Sequence, residues 1–371
     1  EVQRPFDVSQ GPLLRSILLR LSPTDHLWLV TIHHLVFDGW SIDSFNRELA
    51  ALYAAFAAGW PSPLPELPIQ YTDFVYWQRA RLHGPALERQ LSYWRQQLGD
   101  ELPALQLPTD HPRPALPTSH GAVYFFGLPL SLSEALKTLS RQEGATLFMT
   151  LLAAFEIMLY YYTGGQTDFA VGSPVANRQQ AETEGLLGLF VNTLVLRANL
   201  SGNPTFRELL ARVREIVLDG YAHQEVPFQM LVDRLQPKRD MSRSTLFQVW
   251  FVLDNEPLYS LNLPGLTVTP VEIDSGAVRH ELRLGLVETP TGLKGSLEYR
   301  TDLFERASVA RLAGGFETLL QTIVAQPEAR LTMLVETLFA ADERRQKLKQ
   351  KELEQAGLSK LKQARRKVVR V

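Results

Sequence analysis

The sequence predicts an α+β protein built as two lobes. Helical and extended patterns mix along the chain without the regular strand–helix–strand alternation of a parallel fold, which points to α+β layering. A length of 371 residues suggests two domains or lobes rather than one. The proline-rich stretch Pro103–Pro117 is extended and marks the candidate boundary between them.

In the first lobe, Leu13–Leu21 and Leu27–Ile32 read as strands around the turn Ser22-Pro23-Thr24-Asp25. Ser41 is placed to cap a helix over Ile42–Ala58, which Gly59 ends. Pro61–Pro65 is a stiff linker, and two helices follow near Tyr71–Leu82 and Pro85–Leu98.

Beyond the boundary, Val123–Leu128 reads as a strand, with helices at Ser133–Glu143 and Leu147–Tyr162. Asp168–Gly172 is a short buried strand, and Leu189–Leu200 is a strand interrupted at Asn192. Pro204–Tyr221 is an amphipathic helix opening on a proline. Four antiparallel strands are expected at Leu246–Leu253, Leu266–Ile273, Leu282–Glu288 and Gly292–Tyr299, before a last folded helix, Glu305–Ala325. The divisions are therefore 1–115, 116–340 and a tail, 341–371.

From Asp342 onward the tail holds eleven Lys/Arg against four Asp/Glu, which reads as a solvated helix and linker or as a docking segment. No aromatic or base-reading module accompanies that charge, and a net charge of −2 recruits neither nucleic acid nor an anionic membrane. The longest apolar stretch, Leu147–Tyr162, is broken by Thr150 and Glu156 and is too short for a bilayer. The absence of cysteine excludes disulfides and thiolate chemistry and fits a cytoplasmic location.

Chemistry concentrates in Ile32-His33-His34-Leu35-Val36-Phe37-Asp38-Gly39-Trp40-Ser41. A strand that ends in His-His and turns through Asp-Gly can present an imidazole at the mouth of a cleft, where it can take a proton near neutral pH. His34, next to the turn, is the candidate reacting group. His33 falls on the opposite face of the strand and packs or orients. Asp38 anchors the loop through an arginine elsewhere or orients the imidazole, the anchor being favoured. Gly39 leaves room for a substrate arm, and Trp40 is either core or channel wall. Serine-nucleophile, phosphate-loop and zinc-helix motifs are absent, so direct transfer between two bound substrates fits better than a covalent intermediate. No metal site is expected. His26, His83, His111, His120, His223 and His280 are scattered singly and read as structural or exposed.

The chain resembles the condensation domain of nonribosomal peptide synthetases, within the chloramphenicol-acetyltransferase-like acyltransferases. Beside the His-His-x-x-x-Asp-Gly motif, Tyr71–Gln78 is similar to the family's Tyr-x-Asp-Phe-Ala-x-Trp-Gln element. Gly188–Leu194 with Arg197 resembles its Gly-x-Phe-Val-Asn-Thr segment, and His223–Phe228 its His-Gln-Asp-x-Pro-Phe element. Arg239–Arg243 followed by Leu246–Gln248 resembles its Arg-Asp-x-Ser-Arg…Leu-Phe-Gln element.

The resemblance implies two chloramphenicol-acetyltransferase-like lobes in a V-shaped pseudo-dimer, with a channel between them. Donor and acceptor peptidyl carrier domains would present phosphopantetheine-tethered substrates from opposite faces, beside neighbouring synthetase domains, and this chain would bind no cofactor of its own. The acceptor amine would attack the donor thioester, with His34 deprotonating or positioning it. Trp40, Ser41, Asn192 and Arg243 would lie along the channel. Arg243 could also pair with Asp240 or close a lobe contact, and Asn192 could bond backbone. A family segment carrying an Arg-His-x-x-Leu-Arg-Thr element would precede these residues, leaving the N-terminal lobe incomplete; its arginine is the implied partner of Asp38. His33-His34 argues against a heterocyclization domain, and Trp40-Ser41 against an epimerization domain. A starter-type N-acylating domain, a stand-alone acyl-CoA-dependent acyltransferase and an inactive carrier-binding module are the alternatives.

Overall fold

A computed structural model describes residues 1, 4–99, 101–235, 242–254, 261–271 and 276–347. The chain starts with an antiparallel hairpin, β1 (Leu14–Arg20) and β2 (His26–Ile32), and then forms α1 (Gly39–Ala57), α2 (Tyr71–Arg81) and α3 (Gly84–Leu98). Next come β3 (Gly121–Pro129), α4 (Leu130–Gln142), α5 (Leu147–Tyr162), β4 (Asp168–Val175), the short α6 (Ala181–Glu184) and β5 (Asn192–Asn199). The remaining elements are α7 (Phe206–Ala222), α8 (Phe228–Leu235), β6 (Val249–Asp254), β7 (Leu282–Thr289), β8 (Gly292–Arg300) and α9 (Arg306–Ala325), followed by α10 over 331–347.

Six strands make one sheet in the order β3-β8-β7-β6-β4-β5. Strand β6 runs parallel to both β4 and β7, and the other pairs are antiparallel. The expected all-antiparallel arrangement is therefore corrected at β6. A parallel pair needs a long crossover, and the segment 255–281 between β6 and β7 supplies the length. No strand forms over 266–271, where one was expected; the last two residues of that expected strand, Glu272 and Ile273, lie outside the described residues.

One face of the sheet carries Val249, Phe251, Leu282, Leu284, Leu286 and Leu297, all buried, and α5 lies against it. Phe251 packs on Phe148 and stacks with Phe155 of α5. Since α4, α7 and α9 enclose the rest of α5, that helix is apolar all round, as a central helix should be. Among the described residues no single helix is long and apolar enough to cross a membrane.

Two other expectations change. Leu331, Leu334 and Leu338 are buried, Tyr161 and Tyr162 both donate to Asp342, and Arg345 donates to Gly314 O and Thr318 Oγ1. Helix α10 thus packs on the large lobe and passes through the tail boundary at 340, so α9 is not the last folded helix. Similarly, α3 buries Leu87, Leu91, Trp94 and Leu98 in the main core with Leu105 and Leu107. Residues 105–113 strap that lobe: Leu105 N–H donates to Gln248 Oε1 (2.7 Å), and Arg113 makes a two-pronged pair with buried Glu281 (2.6 and 2.9 Å). Helix α3 and the 105–113 strap, placed before residue 115, are thereby packed into the core of the second lobe.

Glu156 sits in the middle of α5, 2% exposed, with Oε2 lacking any hydrogen-bond partner. Burial pushes its carboxyl up to about 8 from an ordinary 4.5. The folded state holds this proton where the unfolded state has lost it, so stability falls as pH rises from 4.5 to about 8. At neutral pH the loss amounts to about 3 kcal/mol. Glu156→Gln removes the ionisable group, and its stability advantage should grow by that amount between acid and neutral pH, then level off above about pH 8. Denaturant melts across that range check it; curves that run parallel to the wild type would contradict it.

Candidate active site

Strand β2 ends at Ile32, and His33 N–H closes the hairpin on Leu13 O (2.9 Å). A single 3₁₀ turn, His34–Val36, follows. His33 caps it: its Nδ1 accepts the Leu35 N–H (3.0 Å) while its ring meets Phe6 edge-on. The His33 side chain therefore belongs to the loop, not to the solvent side of the motif.

His34 is exposed, and its Nδ1 lies 2.6 Å from Phe37 O. A carbonyl can only accept, so Nδ1 carries the proton of the neutral ring and Nε2 keeps a free lone pair. The turn itself sets this tautomer, and Asp38 does not touch the imidazole.

Asp38, 3% exposed, binds entirely elsewhere. It caps α1, correcting the expectation that Ser41 does so: Asp38 Oδ1 accepts the Ser41 N–H (2.9 Å) and hydroxyl (2.8 Å). Its Oδ2 accepts the N–H groups of Phe190 (2.9 Å) and Val191 (3.2 Å), and Arg178 Nη2 reaches Oδ1 at 3.2 Å. Burial raises the Asp38 carboxyl, but the Ser41 hydroxyl, the Phe190 and Ser41 amides and Arg178 outweigh it and hold the pKa below 3.8.

Within this chain the partner of Asp38 is Arg178. Arg178 leaves the carboxyl end of β4 after Asn177, whose φ of 53° turns the chain back. Its guanidinium also donates to Thr183 O and to Leu186 O (2.8 Å) and lies 4.0 Å over the Phe190 ring. A local signal existed in Asn177-Arg178 directly after an apolar strand, but only the fold shows which carboxylate it meets.

Ser41 is fully buried and does not line a channel. Its hydroxyl accepts from Gly188 N–H (3.1 Å) and Arg178 Nη2 (3.1 Å) and sits against Asp38 and Gly188 O. Gly188 is required there, because a Cβ would lie 2.4 Å from the Tyr71 ring. Tyr71 in turn donates to Leu189 O (2.8 Å) and packs with Phe74 and Phe190 in a small core that joins α2 to the 176–191 loop.

Asn192 is likewise consumed by backbone. Its amide donates to Gln224 O (2.8 Å) and Val226 O (2.7 Å), and its carbonyl accepts from Phe228 N–H (2.9 Å). It opens β5 rather than interrupting it, and it pins the 224–228 turn, leaving no polar atom for a channel. His223 stacks on Tyr93 at 3.9 Å and is structural. Arg243 binds Leu105 O (3.3 Å) and Gln106 Oε1 (3.0 Å), closing a contact with the strap; Asp240 lies outside the described residues. Gly39 and Trp40 open α1 beside the turn: Gly39 faces empty space, and Trp40 is 48% exposed, which rules out a core role. Leu35 and Val36 are exposed there too, giving His34 an apolar rim. Among the described residues no cluster of His, Cys, Asp and Glu could hold a metal ion.

The site is thus an exposed imidazole whose Nε2 is free, on a turn that Asp38 ties to the loop leaving β4 of an α+β sheet. The condensation-domain profile matches residues 1–348, and the chain belongs to that family. It is 48% identical over 348 residues to one of the linear gramicidin synthase proteins of Brevibacillus parabrevis, an alignment that takes in 93% of this chain and 4% of that protein. It is 41% identical over 336 residues to the phosphinothricin tripeptide synthetase PhsC of Streptomyces viridochromogenes, across 90% and 31% of the two chains. The chain thus spans a small part of the length of the curated relatives it matches. Among solved structures, the X-domain from teicoplanin biosynthesis superposes with a TM-score of 0.81 at 28% identity, over 90% of this chain and 76% of that one.

Proposed function

We propose that this chain forms an amide bond by aminolysis of a thioester, with both reactants tethered through phosphopantetheine to carrier domains. The observation that carries this reading is the His34 Nε2 lone pair, exposed on the turn after β2 and fixed by the bond from Nδ1 to Phe37 O. The acceptor amine attacks the donor carbonyl, the C–N bond forms and the C–S bond breaks. The proton lost from nitrogen passes to His34 Nε2 and then to the departing thiolate. Holding two reactants in line converts a bimolecular step into an effectively unimolecular one, so positioning supplies much of the acceleration. No nucleotide is needed, because the thioester is already activated.

A donor offered on a carrier domain and the same acyl group offered as acyl-CoA separate this reading from a stand-alone acyltransferase. Amide formation from the carrier-bound donor, with little from acyl-CoA, is expected. Equal or faster reaction from acyl-CoA would overturn the carrier assignment. A fatty-acyl donor used in preference to aminoacyl donors would identify a starter-type domain.

A further inference from the structure

Asp254 ends β6, half-buried, and its carboxylate has no hydrogen bond or ion pair to another described residue. Along β6, Phe251 faces α5, whereas Trp250 stacks on His280 at 4.6 Å on the other side of the sheet. Strand alternation places Asp254 on the Trp250 side, away from the helices. The cation nearest in charge effect, Arg283, is engaged with Glu298 at 2.6 Å.

The position of Asp254 along the sheet relates it to the site. Val171 pairs with Val249 and Gly172 with Trp250 in the parallel β4–β6 ladder, so the carboxyl ends of the two strands, Val175 and Leu253, lie level. The loop leaving β4 carries Arg178, Gly188, Phe190 and Val191, the groups that hold Asp38 and Ser41. Asp254 therefore lies at the end of the sheet to which the His34 loop is riveted. No described residue donates to this half-buried carboxylate, and an N–H or ammonium ligand would stabilise it. Burial raises the Asp254 carboxyl, as expected of a group waiting for such a partner.

We propose that the Asp254 carboxylate binds the acceptor's amino group, accepting a hydrogen bond from the nitrogen that attacks the thioester. This rests on the reading of the chain as amide-forming. Asp254 takes no proton and exchanges no bond; it orients the amine while His34 accepts the proton.

Two non-hydrolysable probes test this on the full chain: the alanyl and propionyl amides of aminopantetheine, which differ in the amino group. The wild type should bind the alanyl probe about tenfold or more tightly than the propionyl probe, the worth of one hydrogen bond to a charged group. Asp254→Asn should bring the two affinities together at unchanged thermal stability, and Asp254→Glu should keep part of the preference. With loaded carriers, Asp254→Asn should raise KM for the acceptor carrier and leave that of the donor unchanged. An undiminished preference for the alanyl probe in Asp254→Asn would overturn the assignment. Because the probe ratio is read without turnover, a wild type that forms no amide would defeat the proposed function separately.

Discussion

His34→Ala is expected to lower single-turnover amide formation by about 10²–10⁴-fold at an equal folded fraction, the usual worth of a positioned general base. The ring is exposed and its polar contact is to Phe37 O within the same turn, so its removal leaves the core untouched. Two further variants divide base from positioner. Asparagine places an N–H where Nδ1 stands, preserving the bond to Phe37 O while deleting Nε2. Glutamine places an amide near Nε2, able to accept a hydrogen bond from the amine but not its proton. If proton transfer dominates, all three variants fall together. If positioning dominates, glutamine retains most of the rate and asparagine does not. Wild-type rates in His34→Ala would remove the imidazole from the mechanism.

The second large effect concerns the rivet. Asp38 and Arg178 are each 1% exposed at the side chain, and Arg178 Nε already lacks a partner. Breaking a buried pair from one side leaves the other charge uncompensated, so Asp38→Ala and Arg178→Met should each cost about 3–5 kcal/mol. Asp38→Ala also strands the amides of Phe190 and Val191 and removes the cap of α1. The double variant should cost clearly less than the sum of the two singles, because no isolated charge remains. Activity should fall in each single variant even where the fold survives, since the His34 turn is tied to the large lobe through Asp38. The folded-state pKa of Asp38 is depressed, so its contribution is complete above 3.8 and disappears as pH falls through the lower folded value. Additive single-variant losses in urea melts would contradict this account.

The local chemistry of the motif was legible because it is local. Two histidines at the end of a strand, an Asp-Gly turn and a helix behind it all fall within ten residues, and α5 was read to the residue because almost every position in it is apolar. What the sequence concealed depended on distant partners. Asp38 asked for an arginine, and nothing nearby distinguishes Arg178, 140 residues on, from the others. The resemblance places Ser41 and Asn192 along a channel, with backbone bonding the other reading of Asn192; in the structure both side chains hold backbone from other segments. The parallel course of β6 is a property of its neighbours and of a long crossover, not of its own six residues. Helix α10 was hidden by its charges, since its buried stripe of Leu331, Leu334 and Leu338 is narrow. Asp254 carries no motif at all and became visible only once the strand ends were aligned.

The most direct test is intact-mass measurement of the acceptor carrier after one turnover with a loaded donor carrier. The account predicts that the acceptor gains the mass of the donor acyl group, keeps its own thioester, and leaves the donor carrier with a free thiol. A donor released as free acid, with the acceptor mass unchanged, would contradict it.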